Sequence, residues 1–117
     1  MNRKHIANPL WISIAALAFG LSAAPAQANV DAAAANALAK KSDCLKCHAI
    51  DKDKKASSFQ KIAAKYKGKA DAEAKLIETL TKSPKVKMLD GSEEEHKALV
   101  TKDIAEMKNL IGWILAQ

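Results

Sequence analysis

Both cysteines of this 117-residue chain lie in one five-residue segment, Cys44-Leu45-Lys46-Cys47-His48, and this segment limits what the chain can fold around. Side chains at positions i, i+3 and i+4 of a helical turn leave the same face. On such a turn Cys44, Cys47 and His48 therefore present two thiols and an imidazole together. The arrangement suits a single group that is bound by all three side chains.

The C-x-x-C-H spacing is typical of covalent attachment of a c-type haem. Cys44 and Cys47 can form thioethers with the two vinyl groups on one side of a porphyrin, and His48 can then ligate its iron. A disulfide between the two cysteines would close a very small loop and stabilise little. A thioredoxin-like redox pair would need a strand–helix setting, and no strand is visible in the sequence. A structural zinc site needs four ligands, and besides the three motif residues only His96 could be the fourth. We therefore predict one covalent haem c.

The first 28 residues have the layout of a secretory signal peptide. Arg3 and Lys4 precede an apolar run over residues 10–21, and Ala26-Gln27-Ala28 forms a small-x-small cleavage pattern. An uncleaved membrane anchor is the alternative, but a spanning helix needs about 20 apolar residues. We predict cleavage after Ala28, which leaves residues 29–117 as one periplasmic domain without stable membrane insertion.

The pattern of apolar residues over residues 29–117 predicts an all-α fold. Helices are expected over residues 31–41, 71–81 and 101–116, and a further helix is expected to start at Ser57 and stop at Gly68. Ser92 and Glu95 form a capping-box pair, which predicts a helical turn over residues 92–99. No segment alternates with period two, so no strand is predicted.

The stretch "KSDCLKCHAIDKDKKASSFQKIAAKYKG" and the closing "LIGWILAQ" resemble the small bacterial class I cytochromes c. The resemblance covers nearly all of residues 29–117 and implies four to five helices wrapped around one covalent haem, with the first and last helices crossing. It also implies His48 and a methionine as the iron ligands. Ala56-Ser57 replaces the usual Gly-Pro, whose carbonyl accepts a hydrogen bond from the ligand histidine. A carbonyl from residues 55–57 is expected to take that role.

Three residues compete for the second iron ligand. Met88 lies in a segment without predicted regular structure and is the preferred ligand, because thioether and imidazole are the usual electron-transfer pair. Met107 lies on the apolar stripe of the last helix and is predicted to pack in the core. His96 follows three glutamates and is predicted to be a solvated helix histidine, with bis-histidine ligation or contact with a haem propionate as its other roles.

An iron with six ligands has no open position for a substrate, so this set predicts an electron carrier and not an enzyme. Methionine ligation and burial of the macrocycle would both raise the reduction potential. If Met88 does not bind, a five-coordinate haem would suit a gas sensor or a weak peroxidase. A third possibility is a haem subunit of a larger dehydrogenase.

The charge pattern bears on the partners. Residues 29–117 contain no arginine, which nucleic-acid readers use for bidentate contacts, so no nucleic acid is expected as a partner. The lysines have two equally supported interpretations: they form a docking surface for acidic redox partners, or they only solvate a small helical protein. No coiled-coil seam is visible, and a monomer is expected. The lysines expected around the haem edge are Lys46, Lys82, Lys85 and Lys87.

Overall fold

The computed structural model of the protein describes residues 29–117, so the predicted signal peptide lies outside the described residues. Five helices and one small sheet form this part of the chain, which confirms the helical fold class. No helix within residues 29–117 is both long and apolar enough to cross a bilayer. In chain order the elements are α1 Ala32–Lys41, α2 Cys44–Cys47, α3 Phe59–Tyr66, α4 Ala72–Lys82, β1 Lys85–Lys87, β2 Glu93–Glu95 and α5 Ile104–Leu115.

The first and last long helices pack against each other, as the resemblance implies. Ala35 and Ala39 on α1 are fully buried, and their small side chains allow α5 to approach closely. Two hydrogen bonds fix the pair at one end: the Asp31 N–H donates to Asn109 Oδ1 at 2.8 Å, and Asn109 Nδ2 donates to the Asp31 carbonyl at 2.9 Å. This helix pair forms the base on which the other elements lie.

The core is built mainly from one side of α5. Leu110 and Ile111 are almost fully buried, and Trp113 meets Phe59 of α3 edge to face with ring centres 5.6 Å apart. Burial of apolar area on this scale is the main stabilising contribution in a domain of this size. Met107 is 6% exposed and belongs to this core, as predicted.

The prediction of no strand, and of a helical turn over residues 92–99, is wrong. β1 and β2 form an antiparallel hairpin in the register Lys85↔Glu95, Val86↔Glu94 and Lys87↔Glu93. Directly opposed lysine and glutamate side chains favour this pairing. Each strand has only three residues and does not alternate apolar with polar side chains in the way that predicts a half-buried strand. The sequence therefore contains no period-two signal for this hairpin.

A turn signal at the hairpin was present in the sequence. The Asp-Gly pair at positions 90 and 91 is a strong hairpin signal. Gly91 has a φ of 88°, and the Asp90 carboxylate accepts from the Ser92 N–H at 2.9 Å and from its hydroxyl at 2.6 Å. The serine that was interpreted as a helix cap instead closes this turn.

Two helices begin one or two residues later than predicted. Ser58, not Ser57, caps α3, because the Ser58 hydroxyl accepts from the Lys61 N–H at 3.2 Å. Asp103, not Thr101, caps α5 by accepting from the Ala105 N–H at 2.8 Å. Both shifts arise because neighbouring residues were equally capable caps.

Candidate haem-binding site

The motif cysteines lie on the single turn of α2. Asp43 precedes this turn with a left-handed φ of 61°, and the His48 N–H donates to the Cys44 carbonyl at 2.9 Å. His48 itself is extended, so the chain leaves the helix at the imidazole. The Asp43 carboxylate pairs with Lys97 and, at 3.2 Å, with Lys46. Hydrogen bonds from these two lysines lower the pKa of Asp43.

Both thiols are free, and both are partly buried. Cys44 packs against the hydrophobic core, where burial raises the pKa of its thiol. Cys47 lies one turn on and faces an adjacent cleft. Cys44 does not line that cleft, so the structure brings only one of the two motif thiols to it.

The cleft beside α2 has a volume of about 440 Å³. That volume lies within the range of about 300–1,000 Å³ typical of ligand and cofactor sites. Three sequence-predicted site residues besides Cys47 meet in it: His48, Met88 and His96. The other lining residues are Asp43, Lys46, Ala56, Ser57, Ile62, Val86, Lys87, Leu89, Glu94, Glu95 and Lys97.

His48 is held in position by a backbone carbonyl. Its Nδ1 lies 2.6 Å from the Ser57 carbonyl oxygen. A carbonyl only accepts, so Nδ1 is the protonated nitrogen and Nε2 keeps its lone pair. The Phe59 ring stacks on the imidazole at 5.3 Å. The expected carbonyl replacement within residues 55–57 is therefore confirmed, at Ser57.

His96 is neither solvated nor helical, and that prediction is wrong. It follows β2, is half-buried in the cleft, and its ring centre lies 6.4 Å from that of His48. Its N–H donates to the Pro84 carbonyl at 2.9 Å, and its Nδ1 lies 3.0 Å from the Lys97 carbonyl. Here too the carbonyl assigns the proton to Nδ1. Burial lowers the pKa of His96, and the neighbouring His48 acts in the same direction.

Met88 also reaches the cleft, from the turn of the hairpin. It is 9% exposed, its N–H donates to the Ser92 carbonyl at 2.7 Å, and its carbonyl accepts from the Gly91 N–H at 3.0 Å. Both backbone groups are therefore used in closing the turn. Met107 does not line this cleft.

The predicted lysine surface is only partly assembled at the cleft. Lys46 and Lys87 line it, but Lys82 pairs with Glu78 and Lys85 lies opposite Glu95. Lys97 adds a third ammonium group. Three carboxylates share the same rim, so the charge around the cleft is mixed. These carboxylates are Asp43, Glu94 and Glu95.

Sequence reasoning did not single out Asp53, which lies in the loop between α2 and α3. Its carboxylate accepts from the Ser58 N–H at 2.9 Å and pairs with Lys61. These two bonds, with that to Lys61 the larger cause, lower the pKa of Asp53. In the sequence it lies within a run of alternating charges, which resembles a solvated loop.

Solved structures similar to this chain are small cytochromes. The class 1 cytochrome MtoD from Sideroxydans lithotrophicus ES-1 is 51% identical, with a TM-score of 0.71 over 74% of this chain and 96% of that one. Cytochrome c552 from Nitrosomonas europaea is 30% identical, with a TM-score of 0.54 over 68% of this chain and 95% of that one. No protein-family model and no curated protein sequence matches the chain.

These similarities agree with the site geometry. Identity of 51% over nearly the whole of one relative, with the C-x-x-C-H segment on a helical turn beside a cleft, shows one covalently bound c-type haem and a role in electron transport. The fold, the C-x-x-C-H haem-attachment motif and the sequence identity lead to one conclusion: the chain belongs to the class I cytochrome c family.

Proposed function

We propose that this protein is a periplasmic carrier of single electrons, with a haem attached through Cys44 and Cys47 and the iron held between His48 and His96. The observation that supports this ligand pair best is the placement of the two imidazoles, which lie 6.4 Å apart between ring centres and reach one cleft from different elements. The proposal replaces the expected Met88 ligand by a histidine.

The separation of the imidazoles fits two ligands of one metal ion. A metal–imidazole bond is about 2 Å long, and the ring centre lies roughly 1 Å beyond the nitrogen, so two opposed ligands have ring centres about 6 Å apart. The spacing between His48 and His96 agrees with this value. Direct stacking of two such rings would bring their centres closer.

The hydrogen bonds of the two histidines support the same role. A ligand histidine almost always donates its second ring N–H to a carboxylate, a carbonyl or water, which fixes its tautomer. His48 does so to the Ser57 carbonyl, and His96 to the Lys97 carbonyl. Each ring therefore keeps Nε2 as an unprotonated ligand atom. Because a metal binds neutral imidazole, the lowered pKa of His96 also favours binding.

Met88 is the second candidate for the same iron position. Its burial at the cleft wall is the specific observation in its favour. Met88 directly follows β1 and His96 directly follows β2, so the hairpin carries both candidates. The two proposals predict different potentials, since methionine favours ferrous iron more than a second histidine does.

The bound haem supplies a metal centre that changes between ferric and ferrous states. Cys44 and Cys47 would hold this group covalently, and His48 and His96 would supply nitrogen ligands to its iron. A site that is saturated in this way exchanges electrons without a substrate at the iron. This supports electron transfer over a five-coordinate gas sensor or a weak peroxidase, and size-exclusion chromatography with pull-down separates a free carrier from a haem subunit of a larger dehydrogenase.

Export and partner choice belong to the same proposal. Residues 1–28 carry the signal-peptide pattern, and the remaining chain has a net charge of +4 once Arg3 and Lys4 are removed from the total of +6. Lys46 and Lys97 pair with Asp43 at the cleft rim, and acidic groups of a redox partner would compete with that carboxylate for the two lysines. Association would then slow as salt rises, because exposed charges are screened.

Optical spectra of the haem-loaded protein test the ligand pair. We expect ferric protein without the weak red sulfur-to-iron band, and ferrous protein that resists carbon monoxide. His96→Ala should open the iron, so that ferrous protein binds carbon monoxide and added imidazole reverses the effect. Met88→Leu should change neither property.

His96→Met serves as the matched variant, because it offers a thioether at the same position. It should create the sulfur-to-iron band and raise the potential. A red band in the unaltered protein that disappears in Met88→Leu would contradict His96 as ligand and establish Met88 instead. Carbon monoxide binding by the unaltered protein would contradict the six-coordinate carrier altogether.

A further inference from the structure

We propose that Asp53 is a positioning residue for the haem ligand His48 and tunes the reduction potential through the peptide group that joins Ser57 and Ser58. The inference rests on His48 as an iron ligand, and therefore on the proposed function. It does not depend on whether His96 or Met88 occupies the opposite face.

One peptide group connects the carboxylate to the imidazole. The carbonyl oxygen of Ser57 accepts from His48 Nδ1 at 2.6 Å, and the N–H of Ser58 donates to Asp53 Oδ1 at 2.9 Å. These two atoms belong to the same amide unit, so the bonds form a chain from carboxylate to imidazole. Ser58 is 2% exposed, which keeps this amide away from solvent.

A charge at one end of such a chain affects the other end. Hydrogen bonds to ionised groups are stronger than neutral ones, and linked bonds polarise each other by about 10–30% per bond. Through amide resonance, the Asp53 charge makes the Ser57 carbonyl a stronger acceptor for the His48 proton. A stronger acceptor raises the basicity of a ligand histidine. A more basic imidazole stabilises ferric iron and lowers the potential.

The loop that contains Asp53 is also held by bonds that do not involve the Asp53 side chain. Three backbone bonds tie it down independently: Ala56 N–H to the Cys47 carbonyl at 3.0 Å, Phe59 N–H to Ala49 at 2.9 Å, and Gln60 N–H to Ile50 at 3.0 Å. His48 and Asp53 also pair as an isolated antiparallel bridge. Removing the Asp53 charge should therefore alter the polarisation more than the position of the peptide.

Lys61 acts against the carboxylate. Its ammonium pairs with the second oxygen of Asp53, from the first turn of α3. A cation at that oxygen draws charge away from the bond to Ser58 and weakens the effect on His48. Removing Asp53 and removing Lys61 should consequently shift the potential in opposite directions.

The experiment compares Asp53→Asn with Asp51→Asn in the haem-loaded protein. Asp51 is an exposed neighbour whose side chain makes no hydrogen bond or ion pair among the described residues, so it reports the loss of charge alone. We expect Asp53→Asn to raise the one-electron reduction constant about threefold to tenfold beyond this control, or roughly 30–60 mV at 59 mV per factor of ten. The NMR signal of the His48 Nδ1 proton should move upfield, and the Ser58 amide should exchange faster.

Lys61→Met and its control Lys65→Met complete the test. Lys65 lies one turn further along α3 and does not touch Asp53. Lys61→Met should lower the potential beyond its control and move the His48 proton downfield. If both variants match their controls in potential and proton shift, the inference is overturned.

Two further results keep the tests separate. If Asp53→Asn fails to take up haem, the Lys61 and Lys65 pair alone decides, because both side chains are exposed. Failure of the proposed function would appear earlier, as a spectrum of the unaltered protein without a His48–iron bond.

Discussion

The two walls of the haem cleft are built differently. The His48 wall consists of α2, the loop to α3 and the core behind it, where Phe59 stacks on the imidazole and several backbone bonds brace the loop. The His96 wall is a hairpin of three-residue strands whose residues are mostly exposed. His48 is therefore braced by a folded core, whereas His96, the proposed second ligand, follows a short and mostly exposed hairpin.

The largest expected effect lies behind the His48 wall. Leu110→Ala removes a fully buried side chain at the centre of α5 and should lower the free energy of unfolding by about 2–5 kcal/mol. Chemical denaturation of the haem-loaded protein measures the loss. Leu89→Ala at the hairpin is the control, because that side chain is 55% exposed and should cost little. Equal losses would remove the contrast between the walls.

Two glycines allow a direct comparison between the walls. Gly91 in the hairpin and Gly68 after α3 have φ values of 88° and 73°, and a Cβ at either position meets nothing within 4 Å. Alanine at either position should cost about 1–3 kcal/mol through backbone strain alone. Only Gly91→Ala should also allow ferrous protein to bind carbon monoxide, measured as a change in its absorption spectrum. If Gly68→Ala does the same, the His96 wall is not the softer one.

A smaller effect is expected from charge reversal in the hairpin. Lys87→Glu places like charges opposite each other at Glu93, which should weaken the hairpin by about 0.2–1 kcal/mol. The readout is hydrogen exchange of the Met88 amide. Combining Lys87→Glu with Glu93→Lys restores opposite charges in reversed order. That double variant should regain the protection, and if it does not, the cross-strand pair is not the cause.

The smallest effect on stability is expected when the pH is lowered. The pKa values of Asp43, Asp53 and Asp90 are lowered, chiefly by side-chain hydrogen bonds from Lys97, Lys61 and Ser92. Groups with a lowered folded pKa stabilise above their unfolded value, near about 3.9, and lose that contribution as pH falls through the folded value. Thermal melting should therefore be flat from about pH 5 to 6 and decline below about pH 4. A decline that begins at pH 6 would indicate a histidine instead.

The sequence predicted the His48 wall well and the His96 wall poorly. Cys44, Cys47 and His48 lie within five consecutive residues, so their chemistry is visible in a short segment. The pairing of the first and last helices was implied by the family resemblance, and the alanines of α1 explain why α5 packs closely against it.

The position of His96 at the cleft depends on the hairpin, whose three-residue strands carry no periodic apolar pattern. Three glutamates before it gave the pattern of a solvated helix, whereas the hairpin turns that segment back over the cleft. The Asp90-Gly91 pair was the available signal, and a capping-box interpretation of Ser92 obscured it. Asp53 was missed for a related reason, since its role depends on a peptide group five residues away.

The Asp43–Lys97 ion pair gives the second wall a sensitivity of its own. It joins the turn that carries the cysteines to the residue next to His96, on a surface open to water. Exposed ion pairs weaken with ionic strength, so this tether loosens as salt rises. A partner protein whose carboxylate pairs with Lys97 in place of Asp43 would break the same ion pair. Docking of the partner at this surface would thereby alter the surroundings of His96.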